Sequence, residues 1–231
     1  PDFRGLFPYE GEHAEEIILS YIKVQGQNGW WAWVGFAPSS MGGNVDVEPT
    51  RELVDRFPMI DGLPIDESPL YDPAPPEITY DGSGNPTVET LGMYANRDPR
   101  FYATVLFPGG EFNGAIYNSY PSCGSGAPAG YCSPTSDRIL LTDYNNTYTG
   151  YIAQKYVTPE DQTNPWNSGL NMIKMRYADV LLMYAEAKAE LNQLDGTVNN
   201  VLNQIRGRAG LPTDVDVTGM TQAEAIDWIR N

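Results

Sequence analysis

Met175-Arg176-Tyr177-Ala178-Asp179-Val180-Leu181-Leu182-Met183-Tyr184-Ala185-Glu186-Ala187 is the stretch that decides the fold. Tyr177, Val180, Leu181, Tyr184 and Leu191 recur at helical spacing, which predicts an α-helix over 176–192. Leu182, Met183 and Ala185 add apolar surface on a second face, so the helix is expected to be covered on two sides. Arg176 and Asp179 are spaced to pair along it, and with Glu186 they are expected to anchor it in a bundle. A second helix is predicted over 198–209. Asp195-Gly196 reads as a turn, Thr197 as the N-cap, and Leu202, Ile205 and Ala209 as one apolar stripe. Gly210 ends it, with Pro212 just beyond. So short a link predicts an antiparallel helical pair. Thr221 and Glu224 then form a capping box for a further helix, whose stripe is Ala225, Ile226 and Ile229.

Upstream of this pair the chain reads differently. It has 231 residues, with 23 Gly and 19 Pro, so much of it must be turn or loop. Ile17 to Val24 is rich in β-branched residues and reads as a strand, with a short amphipathic helix as the alternative. Gln25 to Gly43 reads as a Gly- and Trp-rich loop, and Thr50 as the cap of a short helix through Phe57. Gly62 to Gly92 and Glu111 to Asn146 read as long loops, of the kind that often carry function. Phe101 to Phe107 and Tyr151 to Val157 read as strands. The expected fold class is therefore mainly α, with irregular loops and a few short strands. Residues 1–168 form a loop-rich segment with short strands and a short helix. Residues 169–231 hold the helical hairpin and the start of a further helix.

The formal net charge is −16, which argues against a nucleic-acid partner, because phosphate binding needs clustered Lys and Arg. No stretch is long and apolar enough to cross a membrane. No signal peptide or lipid-attachment Cys stands near the start. There is no P-loop, no Rossmann glycine pattern and no GxSxG elbow. The single His, His13, lies in a charged stretch and reads as a solvated surface residue. Two carboxylates at a set separation would suffice for a glycosidase, and the acidic composition leaves that reading open. No metal or cofactor is called for, since two Cys cannot complete a structural zinc site. Calcium among loop carboxylates such as Asp61, Asp66, Asp72 and Asp81 has no EF-hand-type spacing behind it.

RYADVLLMYAEAKAELN followed by LNQIRGRAGLP resembles the C-terminal helical pair of SusD/RagB-type proteins. Two further blocks are similar to that family in the same order: Pro49 to Phe57 followed by Asp61-Gly62, and Asn96-Arg97-Asp98-Pro99-Arg100-Phe101-Tyr102. The resemblance implies part of a SusD-like, tetratricopeptide-type helical fold. It implies an outer-membrane, cell-surface lipoprotein that binds a glycan or other oligomeric nutrient without catalysis and serves a TonB-dependent transporter. It also implies that the chain is the C-terminal portion of a longer protein, with the lipid anchor outside it. Cys123 and Cys132 flank a Gly- and Pro-rich loop, and in such a compartment they are expected to form a disulfide worth roughly 2–3 kcal/mol.

The candidate ligand-binding residues are aromatic. Sugars present flat C–H patches that an aromatic face can cover, while polar groups nearby read the hydroxyls. Trp30, Trp31 and Trp33 share one polar loop, and Tyr71, Tyr80 and Trp166 sit in others. Any one of the three clustered Trp is more apt to plug the core than to face solvent, while at least one of the three is expected to be exposed for binding. Adjacent residues of an extended loop point opposite ways, so Trp30 and Trp31 are not both expected to face the core. Arg97, Asp98 and Arg100 are expected to fix a chain turn, with Pro99 leading into the strand at Phe101.

Overall fold

A strand near the start of the chain is bonded to one that feeds the long helical pair, and the loop-rich region lies between them in sequence. The computed structural model describes residues 3–83, 85–120, 137 and 147–230. In chain order the elements are β1 (Ile17–Tyr21), α1 (Ala32–Phe36), α2 (Arg51–Arg56), β2 (Glu77–Tyr80) and β3 (Pro86–Thr90). There follow α3 (Pro99–Thr104), β4 (Val105–Leu106), β5 (Glu111–Phe112), β6 (Ala115–Ile116) and β7 (Ile152–Ala153). The chain then runs through β8 (Met172–Arg176), α4 (Tyr177–Glu190), α5 (Gly196–Ala209) and α6 (Gln222–Arg230). Helices outweigh strands in the regular structure, and every sheet is a two-stranded antiparallel pair: β1 with β8, β2 with β3, β4 with β7, β5 with β6.

Two apolar clusters hold the loop-rich region. Trp33, Leu106, Phe112, Tyr117 and Ile152 form one, and Val54, Tyr94, Phe101, Val105, Phe107 and Tyr151 the other. Thr50 caps α2 as its sequence predicts, its Oγ1 accepting the Leu53 N–H at 3.3 Å. Arg97 is 2% exposed and donates to the Val54 and Phe57 carbonyls at 2.6 and 2.8 Å, closing the far end of the same helix. Burial lowers its pKa, and its guanidinium lies over the Phe101 ring.

The strand expected over Phe101–Phe107 is replaced by α3, and only Val105–Leu106 pair. The cause is local. Asp98 Oδ1 accepts the Arg100 N–H at 2.7 Å as an N-cap, and Pro99 takes the first helical position, where its missing N–H is not needed. Pro99 thus opens a helix rather than an extended segment. Other loops also hold hidden structure. Gln25–Gly43 contains α1, and Gly62–Gly92 contains the β2–β3 hairpin, whose turn is closed on Asp81 by the Ser83 and Asn85 N–H groups. Of Tyr151–Val157 only Ile152–Ala153 pair as strand. Cys123 and Cys132 lie outside the described residues, as do Tyr131 and Tyr144.

The helical pair is present, and α6 completes a third cluster of Ala185, Ala189, Val198, Leu202, Val217 and Ala225. Asp195, not Thr197, caps α5: its Oδ1 accepts the Thr197 N–H at 2.9 Å. Gly210 ends that helix at φ +80°, a backbone that suits glycine. At the start of α4, Asp179 accepts the Arg176 N–H at 2.8 Å and its guanidinium at 3.0 Å, Arg208 and Arg176 both reach Glu16, and Glu186 accepts from Arg230 of α6. The burial of α4 departs from the expected two-sided cover. Ala178, Leu181, Ala185 and Ala189 are buried, because small residues let α5 and α6 approach closely. Tyr177, Val180, Leu182, Met183, Tyr184 and Leu191 are exposed, and no described residue covers that second face.

Candidate functional site

The Gln25–Trp31 loop is laced to the segment before β8. Trp30 and Ser168 exchange backbone hydrogen bonds at 3.0 and 2.7 Å, an isolated antiparallel bridge. The Gly26 N–H donates to Asn167 Oδ1 at 3.1 Å, and the Val34 N–H to the Pro165 carbonyl at 3.4 Å. This lacing sets Trp31 and Trp166 on neighbouring segments. Both are open to solvent, Trp31 at 43% and Trp166 at 66% exposure. A methyl group built at Gly35 would collide with the six-membered ring of Trp31, so the ring lies against bare helix backbone. The aromatic patch is these two solvent-open indoles, one at the N-cap of α1 and one in the Pro165–Asn167 segment.

The three clustered tryptophans take three different places. Trp31 is exposed. Trp30 is half-buried, its indole N–H donating to the Leu170 carbonyl at 2.8 Å and its ring edge-on to Phe36 and Tyr156. Trp33 is 1% exposed, bonded to the Met41 carbonyl at 3.0 Å and set against Phe112. It is a core residue and has no free face for stacking on this surface. Tyr71 and Tyr80 are half-buried and belong to the Gly62–Gly92 region. The Tyr80 hydroxyl accepts from Asn118 Nδ2 at 2.8 Å, and burial raises its pKa.

Beneath the patch lies a polar node that sequence inspection does not single out. Asp161 is 1% exposed and accepts from the Tyr9 hydroxyl at 2.9 Å and the Ser168 hydroxyl at 2.6 Å. The Gly169 N–H donates back to the Tyr9 oxygen at 2.9 Å. Burial first, then Asp161, raises the Tyr9 pKa. These bonds fix the strip that carries Trp166 and Ser168, since an unpaired buried carboxylate would be strongly unfavourable. Asp161, Ser168 and Tyr9 are far apart in sequence and share no motif, so only the fold could show them together. Asp61, Asp72 and Asp81 use their oxygens on N–H groups of their own turns, and no described group of His, Cys, Asp and Glu is gathered for a metal. Arg97, Asp98, Arg100, Arg176, Asp179 and Glu186 all bond within or between helices, away from the patch.

Residues 14–231 match the model of the SusD family. No curated protein matches the chain. Solved structures resemble it over nearly all of its length. One, a SusD-like carbohydrate-binding protein from Bacteroides fragilis, is 24% identical with a TM-score of 0.75, covering 99% of this chain and 40% of that one. A second SusD-like protein from Bacteroides fragilis is 24% identical with a TM-score of 0.64, covering 99% and 42%. A SusD superfamily protein from Bacteroides vulgatus is 23% identical with a TM-score of 0.55, covering 99% and 39%. The likeness is one of fold, and this chain spans about two fifths of the length of those structures. With the family model matched across almost the whole sequence, the chain belongs to the SusD family.

Proposed function

We propose that this protein captures a glycan without cleaving it, at the outer-membrane cell surface, and delivers it to a TonB-dependent transporter. The observation that carries the reading is the patch of Trp31 and Trp166, two tryptophans left open to solvent on a rigidly laced base. Indole faces cover the C–H patches of a sugar ring, and their two χ angles leave little rotamer freedom to lose on binding. Exposed Gln27, Asn28, Gln162 and Asn164 nearby in sequence supply donors and acceptors for hydroxyls. Family membership and the carbohydrate-binding relative support the same reading.

Calorimetry with a panel of neutral oligosaccharides tests it. The protein is expected to bind at least one of them. Trp31→Ala and Trp166→Ala are each expected to weaken that ligand by about 1–3 kcal/mol without lowering the melting temperature. Full-strength binding by the double variant would rule out the patch. Release of reducing ends during incubation would rule out capture without cleavage.

A further inference from the structure

A cavity of about 420 Å3 opens where the first residues, the β5–β6 turn and residues 154–160 meet. Its volume suits a ligand the size of one sugar ring. Neither Trp31 nor Trp166 lines it, so it is independent of the patch above. Phe7, Phe112 and Tyr156 give it an aromatic lining. Glu10, Glu111 and Glu160 also line it, against a single cation, Arg4. All four charged residues are exposed, and their side chains have no ion pair or hydrogen bond among the described residues.

Thr158 gives this cavity its second mark. The residue is 3% exposed, lines the cavity, and its buried hydroxyl has no hydrogen-bond partner among the described residues. A buried polar group left unpaired is destabilising, so its place on a cavity wall points to a bound atom as the missing partner. The backbone adds a third. Tyr156 holds φ at +61°, a left-handed conformation that bulky residues rarely adopt, while its hydroxyl oxygen accepts the Ile173 N–H at 3.2 Å. Strain of this kind gathers at ligand sites.

We propose that this cavity binds a small polyhydroxylated ligand carrying a protonated amine, an amino sugar in chemical class. Three carboxylates against one guanidinium favour a cation and reject an acidic sugar. The aromatic lining covers C–H faces and attracts an ammonium. Thr158, Asn113 and Gln154 supply the partners for hydroxyls.

The probes are glucosamine, glucose and glucuronate, titrated into the protein at slightly acidic pH and followed by NMR and calorimetry. The amine of glucosamine is then protonated. Glucosamine is expected to bind about tenfold or more tightly than glucose, with glucuronate undetected. Glu111→Gln combined with Glu160→Gln alters only exposed side chains and is expected to lower glucosamine affinity about tenfold. Thr158→Val is expected to weaken it several-fold, with Thr158→Ser restoring it. The Trp31→Ala, Trp166→Ala protein is expected to bind glucosamine unchanged, which separates this site from the patch. Equal binding of the three probes, no binding of glucosamine, or full affinity in the doubly substituted glutamate variant would each overturn the proposal. So would a Thr158→Val protein of unchanged affinity, the result expected if only water fills the cavity.

Discussion

Arg97 and Asp98 are neighbours that serve opposite ends of two helices. Arg97 closes the C-terminal end of α2, and Asp98, 0% exposed, opens α3 while its carboxylate holds the Arg100 guanidinium at 2.6 Å. Asp98→Ala removes the cap and leaves Arg100 without its partner. It is expected to destabilise the protein by about 2–4 kcal/mol, read by urea unfolding, with Asp98→Asn less harmful because it keeps an acceptor. Lys155 makes the opposite case. Its amine lies 4.9 Å from the centres of the Phe3 and Phe7 rings, and burial pushes its pKa down to about 8, with Arg176 and Arg100 adding to the shift and Asp179 opposing it. The free amine titrates near 10.5, so between those values the unfolded chain holds the proton more firmly. Stability therefore rises with pH across that window, and below about 8 the whole penalty stands. Lys155→Met is expected to stabilise the protein by about 1–3 kcal/mol at neutral pH and far less in strong alkali. Equal gains at both pH values in paired urea titrations would show that the charge is not the cause.

At the scale of elements, α4 separates what packs from what is merely apolar. Ala185 and Ala189 are both 0% exposed against α5 and α6, while Met183 is 51% exposed. Ala185→Leu is expected to destabilise by about 1–3 kcal/mol through overpacking, and Met183→Ala to change stability by less than about 0.5 kcal/mol, measured by thermal melts. Hydrophobic spacing places this helix to within two residues at each end, but of the two covered sides it predicts only one is buried. Periodicity reports that a face is apolar; only the neighbouring elements decide which apolar face is buried. The same limit applies to Phe101–Phe107, where an alternating run too short to distinguish strand from helix was decided by the Asp98 cap. The β2–β3 hairpin was hidden because Asp81 to Asn85 reads as generic loop. For the site, Trp31 and Trp166 could be nominated from residue type alone. Their pairing depends on the Trp30–Ser168 bridge, and Asp161 beneath them on contacts across some 150 residues of chain, as with Tyr9.

For the whole molecule, charge distinguishes the two proposed binding surfaces. The chain carries a formal net charge of −16, so neutral glycans suit it better than acidic ones. Stacking on Trp31 and Trp166 involves no ion pair and is expected to hold nearly constant between low and high salt. An amine in the cavity beside Glu10, Glu111 and Glu160 is expected to lose affinity several-fold over the same range, because rim charges are screened. Calorimetry of a neutral oligosaccharide and of glucosamine across an ionic-strength series checks both. Parallel losses would mean that the two ligands share one site.

Gly35 carries a consequence for the descent of the patch. Its missing side chain is what allows Trp31 to rest on the helix backbone, yet it need touch no ligand. A side chain at position 35 would meet the ring where it now lies, so this seat for Trp31 exists only over a glycine. Among relatives, a larger residue at the position of Gly35 should travel with the loss of the tryptophan at that of Trp31. Lineages that retain the tryptophan beside a bulky neighbour would show that the ring has another resting place.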